Sequence, residues 1–358
     1  KYHEGVLAIM YKGRDKEGVH RGGPMYIIEN GLGRKWRPLA IFFAVAGMFG
    51  TLCIMNANQL TEAVVSVFTT PENLEASSFL SSMSAITGLD NLHAFRLMCG
   101  IAIAIVVSLV VLGGITRIAR VASVIVPFMV GVYFLMVFYI ILTHLDDVPG
   151  VFASIFREAF NLRAGLGALV GIAIIGARRA ALVNDAGVGT ASIMHGESKN
   201  NTPVREGLIA MLGPSIDSGF VCTLTALAIL LCADIPSGGD VQGLTLAMNA
   251  FSNAIPGGEL MLFVVVICFG LSSMFSYSFY GRSCATYLFG SKKSRFYTYF
   301  FIVTLIIFSV IPLNAAVGVC DLFYALMAFP TMFAILSLSG QVRKATRDYF
   351  SGKKEKIE

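Results

Sequence analysis

The densest group of residues able to do chemistry lies in a glycine-rich apolar segment, residues 165–195. It holds six glycines, the pair Arg178–Arg179 and the pair Asn184–Asp185. A continuous apolar helix tolerates this composition poorly. The pattern therefore favours a helix unwound around residues 171–176, whose free backbone groups and helix ends hold a charged ligand or an ion. The alternative is a small-residue helix packed tightly against its neighbours.

A second group consists of hydroxyl side chains in the segment 268–283. Ser272 and Ser273 are adjacent, and Tyr277 follows one helical turn later. Hydroxyl and carbonyl oxygens are the ligands that a small hard cation such as sodium prefers. The competing interpretation is that these serines bond back to the carbonyl one turn earlier, as serines in membrane helices often do.

Other polar residues within apolar stretches have weaker signals. Asn58 and Glu62 share one face of a predicted helix, and hydrogen bonds between helices are favoured over a binding role there. Asp217 is a single acid in its segment, which indicates either a pair with an arginine of residues 165–195 or a proton relay. The 7 cysteines show no CxxC pairing and are interpreted as small buried apolar residues.

Composition places these residues in a membrane protein. Of the 358 residues, 56% are hydrophobic and 14% are charged, and the mean hydropathy is +0.73. Soluble domains are about 45–50% apolar and about 25% charged. A soluble domain, a disordered chain and a nucleic-acid binder are therefore all disfavoured.

Eight apolar runs are long enough to cross about 30 Å of hydrocarbon. They are predicted at residues 38–68, 97–113, 117–142, 165–195, 205–232, 260–288, 297–312 and 319–340. Residues 1–10 resemble the end of a further helix, and no Met stands at position 1, so the chain is expected to be a fragment. Residues 148–164 and 241–256 are too short to span and are predicted to be amphipathic surface helices, either packed at the interface or serving as a lid.

The basic residues indicate the orientation. Lys and Arg concentrate before residue 38, at 117–120, at 199–205, at 282–295 and after residue 341. The loops at 69–95, 233–259 and 313–318 contain neither. Because basic residues in short loops stay in the cytoplasm, the basic tail, residues 341–358, is predicted to be cytoplasmic. An even number of spans returns it to the side where the first basic segment lies.

Several stretches have motif character: RGGPMYIIENGLGRKWRPLA (21–40), ANQLTEA (57–63), GARRAALVNDAGVGTASIMHG (176–196), NTPVREGLIAMLGPSID (201–217), CTLTAL (222–227) and YGRSCATYLFG (280–290). Together they resemble the alanine/glycine:cation symporter family over essentially the whole chain. The family pattern Asn-Glu-Ala-Gly-x-Gly is similar to residues 184–189, with Asp185 in place of Glu.

The resemblance implies a fold and an activity. The fold is the five-plus-five inverted-repeat core of the amino acid–polyamine–organocation superfamily, an all-α polytopic membrane protein. Residues 1–358 would form one N-terminally truncated transporter domain, with core helices 3–10 and the end of helix 2. The implied activity is sodium-coupled symport of a small neutral amino acid, alanine or glycine, across a bacterial-type plasma membrane. Its partners are that amino acid, the co-transported Na⁺ and the lipid bilayer, with no organic cofactor and no nucleic acid.

The resemblance also assigns expected roles to residues. The amino acid is expected at the backbone of Gly171, Ala173, Ile174 and Gly176, with Met274 and Tyr277 in the pocket wall. Sodium is expected at Ser272 and Ser273. We further expect an inner gate network formed by Arg178, Arg179, Asn184 and Asp185.

Three other functions compete with this one. A proton-coupled carrier of the same fold would use Asp217 or Asp185. A polytopic intramembrane enzyme would pair His195 with Asp185, but ten residues of continuous helix separate these side chains by about 15 Å, too far for direct cooperation. A passive channel would not accumulate its substrate against a gradient.

Overall fold

The computed structural model describes residues 1–15, 17–69, 88–160, 165–233 and 244–352, and within these ranges the chain is mostly helical. The helices before the first gap are α1 (Tyr2–Met10), α2 (Pro24–Tyr26), α3 (Arg37–Gly50) and α4 (Ile54–Phe68). Between α1 and α2, β1 (Gly13–Arg14) pairs with β2 (His20–Arg21) in a short antiparallel ladder.

The remaining helices follow in chain order. They are α5 (Asn91–Val111), α6 (Gly114–Thr143), α7 (Val148–Ala159), α8 (Gly165–Val183), α9 (Thr190–Gly196), α10 (Pro203–Ile216), α11 (Cys222–Cys232), α12 (Leu244–Ala254), α13 (Gly258–Phe289), α14 (Ser291–Val310) and α15 (Leu313–Phe350). The side chains of residues 165–169, 178, 181 and 182 lie outside the description.

Seven helical stretches of the described chain are long and apolar enough to cross a membrane. They are Arg34–Phe68, Asn91–Val111, Gly114–Thr143, Pro203–Cys232, Gly258–Phe289, Ser291–Val310 and Leu313–Phe350. Each coincides with one predicted span. The other predicted span, 165–195, falls on α8 and α9, and α8 alone is about 28 Å long at about 1.5 Å per residue. The chain is therefore an all-α polytopic membrane protein, as the sequence predicts.

The first predicted span, 38–68, is divided into α3 and α4 by a break at residues 51–53. Cys53 adopts a left-handed backbone with φ 54°. The Leu52 amide bonds to the Phe49 carbonyl, one residue short of the α-helical partner, which frees the Met48 carbonyl. The Tyr297 hydroxyl of α14 donates to that carbonyl at 2.7 Å. A buried hydroxyl thus satisfies the acceptor released by the break.

Helix α13 lies at the centre of the packing. Met274 and Phe275, in its second half, belong to a buried cluster with residues of α3, α14 and α15. Leu262 and Phe263, in its first half, belong to a second buried cluster with residues of α6, α11 and α12. One continuous helix thus joins the two clusters, and the segment 272–277 contributes Met274 and Phe275 to the first.

Both short segments predicted to be amphipathic are helical where the structure describes them. Helix α12 buries Met248 and Phe251 in the second cluster. Helix α7 buries no residue, and Phe156 on it is 63% exposed. The first segment is therefore a surface helix, whereas the second is part of the packed structure.

The last predicted span and the first ten residues of the predicted tail form one helix. Helix α15 has 38 residues and continues through the predicted boundary at residue 341 as far as Phe350. Pro330 lies inside it and donates no backbone hydrogen bond. Near the C-terminal end, the Tyr2 and Thr346 hydroxyl oxygens are 2.6 Å apart, which connects α15 to α1.

Candidate functional site

The segment that joins α8 to α9, residues 184–189, interrupts the predicted span 165–195. Asp185, Gly187 and Gly189 have positive φ angles of 51°, 77° and 101°. A Cβ on Gly189 would lie 2.4 Å from Pro24 Cγ and 2.7 Å from Thr331 Oγ1. Glycine is therefore required at position 189 both by its backbone and by its neighbours.

The position predicted for the unwound segment is wrong. Gly171, Ala173, Ile174 and Gly176 lie within the continuous helix α8. Ile172 and Ile175 are 71% and 62% exposed, so this stretch presents apolar side chains outward. A glycine inside a helix costs only about 1 kcal/mol relative to alanine, so glycine content alone does not break a helix. The break occurs where the backbone has positive φ angles and tertiary contacts hold it.

Asp185 anchors the interruption to α13 and α15. The Tyr277 hydroxyl lies 3.0 Å from Asp185 Oδ1 and 2.9 Å from Oδ2, and donates its one proton to this carboxylate. The Tyr324 hydroxyl donates to the Tyr277 oxygen at 2.6 Å. The Tyr277 ring also contacts the Tyr280 ring, with 5.4 Å between centroids. Two tyrosines and one carboxylate thus form a hydrogen-bonded chain at the break.

Helix α15 supports the same segment at a second point. The Thr331 hydroxyl contacts the Val188 carbonyl at 3.2 Å and its own helix at the Met327 carbonyl at 2.9 Å. Neither Tyr324 nor Thr331 was predicted from the sequence. The signal was present, because the two hydroxyl residues are seven positions apart in an apolar span and so occupy nearly one helix face.

The two predicted sodium ligands differ in their surroundings. Ser272 is buried, and its hydroxyl donates to the Phe269 carbonyl at 2.9 Å. Ser273 is partly exposed, and its hydroxyl makes no hydrogen bond to the described parts of the chain. Ser273 precedes Tyr277 by four residues, so the two side chains lie on one face about 6 Å apart along the axis. Met274 is fully buried in the first cluster.

The four residues of the predicted gate network contact separate partners where their side chains are described. Arg179 Nη1 lies 3.6 Å from Asp321 Oδ1 on α15. Asn184 donates to the Ser218 hydroxyl at 2.6 Å, and Asp185 accepts from Tyr277. The Arg178 side chain lies outside the description. The three described side chains therefore have separate partners, and the gate network itself stays a prediction.

A polar cavity of about 310 Å³ lies beside the interruption. Asn184, His195 and Asp217 line it, and Asp217 begins the wider π-helical turn Asp217–Val221 between α10 and α11. The Asn184 Oδ1 atom is buried and has no hydrogen-bond partner among the described residues. Asn184 therefore connects the interruption to this cavity.

The end of α9 is fixed by Glu206 of α10. His195 Nδ1 lies 2.6 Å from Glu206 Oε1, and Ser198 and Asn200 donate to Oε2 at 3.0 Å and 3.2 Å. His195 therefore pairs with Glu206, whereas Asp185 pairs with Tyr277. The acid–base pair that an intramembrane enzyme would need is not formed.

The predicted interhelical role of the α4 amides and acids is confirmed. The Asn58 side chain donates to the Ile311 carbonyl, and Glu62 Oε2 lies 2.8 Å from Arg96 Nη2 on α5. These contacts connect α4 to α5 and to the link between α14 and α15.

Comparison with known proteins gives consistent results. The family model described as the sodium:alanine symporter family matches residues 1–358. The sodium/alanine symporter AgcS of Methanococcus maripaludis is 32% identical over 357 residues, which covers 98% of this chain and 74% of that protein. Two relatives from Bacillus subtilis are each 29% identical. One is the probable sodium/glutamine symporter GlnT, and the match covers 98% of this chain and 69% of GlnT. The other is the putative sodium/proton-dependent alanine carrier protein YrbD, and the match covers 82% of this chain and 58% of YrbD.

Proposed function

Because this chain belongs to the sodium:alanine symporter family, whose members are membrane transporters and not enzymes, we propose that it couples uptake of alanine or glycine to sodium entry. Amino acid–cation symport is the activity common to the family and its relatives. The choice of alanine or glycine and of sodium is the specific part of the proposal. AgcS is named for alanine and GlnT for glutamine, so the substrate differs within the family.

The interruption at residues 184–189 carries the proposal. Interrupted helices in transporters offer free backbone groups and helix ends to the substrate at mid-membrane depth. Here the broken segment is held by Tyr277 and Thr331 from two different helices. We therefore place the amino acid at residues 184–189 and not at 171–176, where the backbone groups belong to a continuous helix.

Ser273 is the stronger of the two proposed sodium ligands. Its hydroxyl makes no bond within the described chain and lies one turn from Tyr277. The Ser272 hydroxyl donates its proton to Phe269, which leaves its oxygen lone pairs for a cation. Ser272 and Ser273 would supply two of the hard oxygen ligands that sodium prefers, within reach of the amino acid at the interruption.

Proton coupling is the competing hypothesis. Asp217 lines the polar cavity beside Asn184, and Asp185 is bonded to a tyrosine hydroxyl. Both are carboxylates at membrane depth, where ionisable groups are usually functional. The name of YrbD also includes both ions.

The test is uptake of radiolabelled alanine by the full-length protein in proteoliposomes, with sodium replaced by choline at fixed pH. The proposal expects uptake to fall to the level of empty vesicles in choline. Ser273→Ala should raise the sodium concentration for half-maximal uptake, whereas Ser273→Thr, which keeps the hydroxyl, should not. Undiminished uptake in choline, abolished by Asp217→Asn, would instead establish proton coupling.

A further inference from the structure

A basic cleft lies beside the C-terminal end of α13, beyond Tyr277 in the sequence. It consists of two adjoining cavities of about 280 and 430 Å³. Arg282 and Gly114 line both cavities, Arg21 lines the first and Arg295 lines the second. The cleft is thus enclosed by the β2 strand, the turn between α5 and α6, the end of α13 and the start of α14.

Three arginines line this cleft, and in the described chain only Arg21 among them is paired with acids. Arg282 is partly buried and close enough to Arg21 and Arg295 for their charges to repel. Arg21 is paired with Asp15 at 3.3 Å and with Glu197 at 3.4 Å. Within the described ranges, Arg282 and Arg295 form no ion pair. An anion in the cleft would relieve this repulsion.

Hydrogen-bond donors surround the same space. Thr116, Ser291 and Thr298 line the cavities with hydroxyl groups. Helix α14 begins at Ser291 after Gly290, which has no side chain to cap the first turn. The amides of an uncapped first turn and the positive end of the helix dipole both favour a negatively charged group.

Gly114 keeps the cleft open. Its φ angle is +75°, and a Cβ built on it would meet no atom within 4 Å. The empty space and the absence of a side chain let a ligand approach the backbone of the turn between α5 and α6. The cleft is therefore lined by arginine side chains and hydroxyl groups and is open at Gly114.

The charge pattern of the chain places the cleft at the cytoplasmic face. Arg21, Arg282 and Arg295 all belong to segments predicted to lie inside by the distribution of Lys and Arg. The end of α13 and the start of α14 are then at the depth of the inner lipid headgroups. Basic pockets between helices on this side are suited to anionic headgroups.

We propose that this cleft binds a phosphate group, with the Arg282 guanidinium as its main ligand and Arg295 and the hydroxyl groups as further donors. A planar guanidinium forms paired hydrogen bonds with phosphate oxygens, which lysine does not reproduce. The phosphate belongs either to an anionic phospholipid of the inner leaflet or to free phosphate in the cytoplasm. This phosphate site is proposed in addition to the transport site, and Arg282 follows Tyr277 by five residues on α13.

In the test, the delipidated full-length protein in detergent is titrated separately with phosphatidylglycerol, with phosphatidylcholine and with inorganic phosphate. Lipid binding is measured by native mass spectrometry, and phosphate binding by the shift in melting temperature. We expect Arg282→Gln to lower the affinity for the phosphate ligand about tenfold, since a charge-assisted hydrogen bond is lost. The matched control is Lys292→Gln with Lys293→Gln, which removes two exposed charges that do not line the cleft.

The outcomes separate the two sources. Selective loss of phosphatidylglycerol binding in Arg282→Gln, with the lysine control unchanged, supports a lipid ligand. A phosphate-dependent rise in melting temperature that only Arg282→Gln removes supports free phosphate. Equal effects in the arginine and lysine variants, or no effect in either, overturn the proposal. If Arg282→Gln does not fold, Arg295→Gln replaces it, because Arg295 is exposed. Unchanged binding of both ligands in Arg295→Gln also overturns the proposal.

Discussion

The contact between Tyr277 and Asp185 is predicted to determine transport. Tyr277→Phe removes the hydroxyl that donates to the carboxylate at 2.9–3.0 Å and also removes the acceptor of the Tyr324 hydroxyl. A hydrogen bond to a charged group contributes about 1.5–3 kcal/mol. Since about 1.4 kcal/mol corresponds to a factor of ten, we expect kcat/KM for alanine uptake to fall roughly 10- to 100-fold.

The matched control is Tyr280→Phe. The Tyr280 ring packs against Tyr277, and in the described chain its hydroxyl makes no hydrogen bond. This variant should retain uptake within about twofold, because it removes an oxygen without breaking the chain of hydrogen bonds. Both variants are measured in proteoliposomes with an imposed sodium gradient, at equal amounts of folded protein.

A double-mutant cycle then tests whether the two residues act together. If the hydroxyl acts through the carboxylate, Tyr277→Phe combined with Asp185→Asn should be no worse than the more severe single variant. Wild-type uptake in Tyr277→Phe, or equal losses in Tyr277→Phe and Tyr280→Phe, would refute the role assigned to this contact. Fully additive losses would show that the two side chains act separately.

Three further outcomes are expected. Gly189→Ala should abolish the monodisperse peak in size-exclusion chromatography. Gly176→Ala should preserve it, because a Cβ at position 176 would meet no atom within 4 Å. Equal behaviour of the two variants would contradict the assignment of the break. Glu206→Gln weakens three contacts at the end of α9 and should lower the melting temperature; an unchanged value would oppose that role. Burial raises the pKa of Asp15, but hydrogen bonds from backbone amides and from Arg21 outweigh burial and hold this pKa below its usual value. The ionised Asp15 carboxylate therefore stabilises the fold above about pH 4, and this contribution is lost as the pH falls. The protection of the β1 and β2 amides from hydrogen exchange, relative to the unfolded chain at the same pH, should fall below about pH 4, and Asp15→Asn should remove that dependence.

The membrane spans could be predicted because the physical requirement is simple. A run of about 20 apolar residues must cross the hydrocarbon as a helix, since backbone groups have no other partner there. Seven predicted spans coincide with apolar helices, and α12 and α7 lie where amphipathic segments were predicted. Hydrophobicity and helical periodicity are local properties, so one sequence suffices to find them.

The breaks could not be placed because they depend on distant contacts. Gly171 and Gly176 resemble helix breakers in sequence, yet the break is at Gly187 and Gly189, beside Pro24 and Thr331. Cys53 has a left-handed backbone without any local signal, because a hydroxyl 244 positions later satisfies the freed carbonyl of Met48. The sequence therefore predicts an interruption in the correct span but at the wrong turn within it.

Pro330 gives α15 a mechanical weak point immediately beside Thr331, which holds the Val188 carbonyl. A helix that lacks one backbone bond bends there at less cost than elsewhere. From that point, α15 extends for about 24 Å, at about 1.5 Å per residue, to the contact of Thr346 with Tyr2. A displacement of residues 184–189 would therefore change the direction of the C-terminal part of α15 through the contact between Thr331 and Val188.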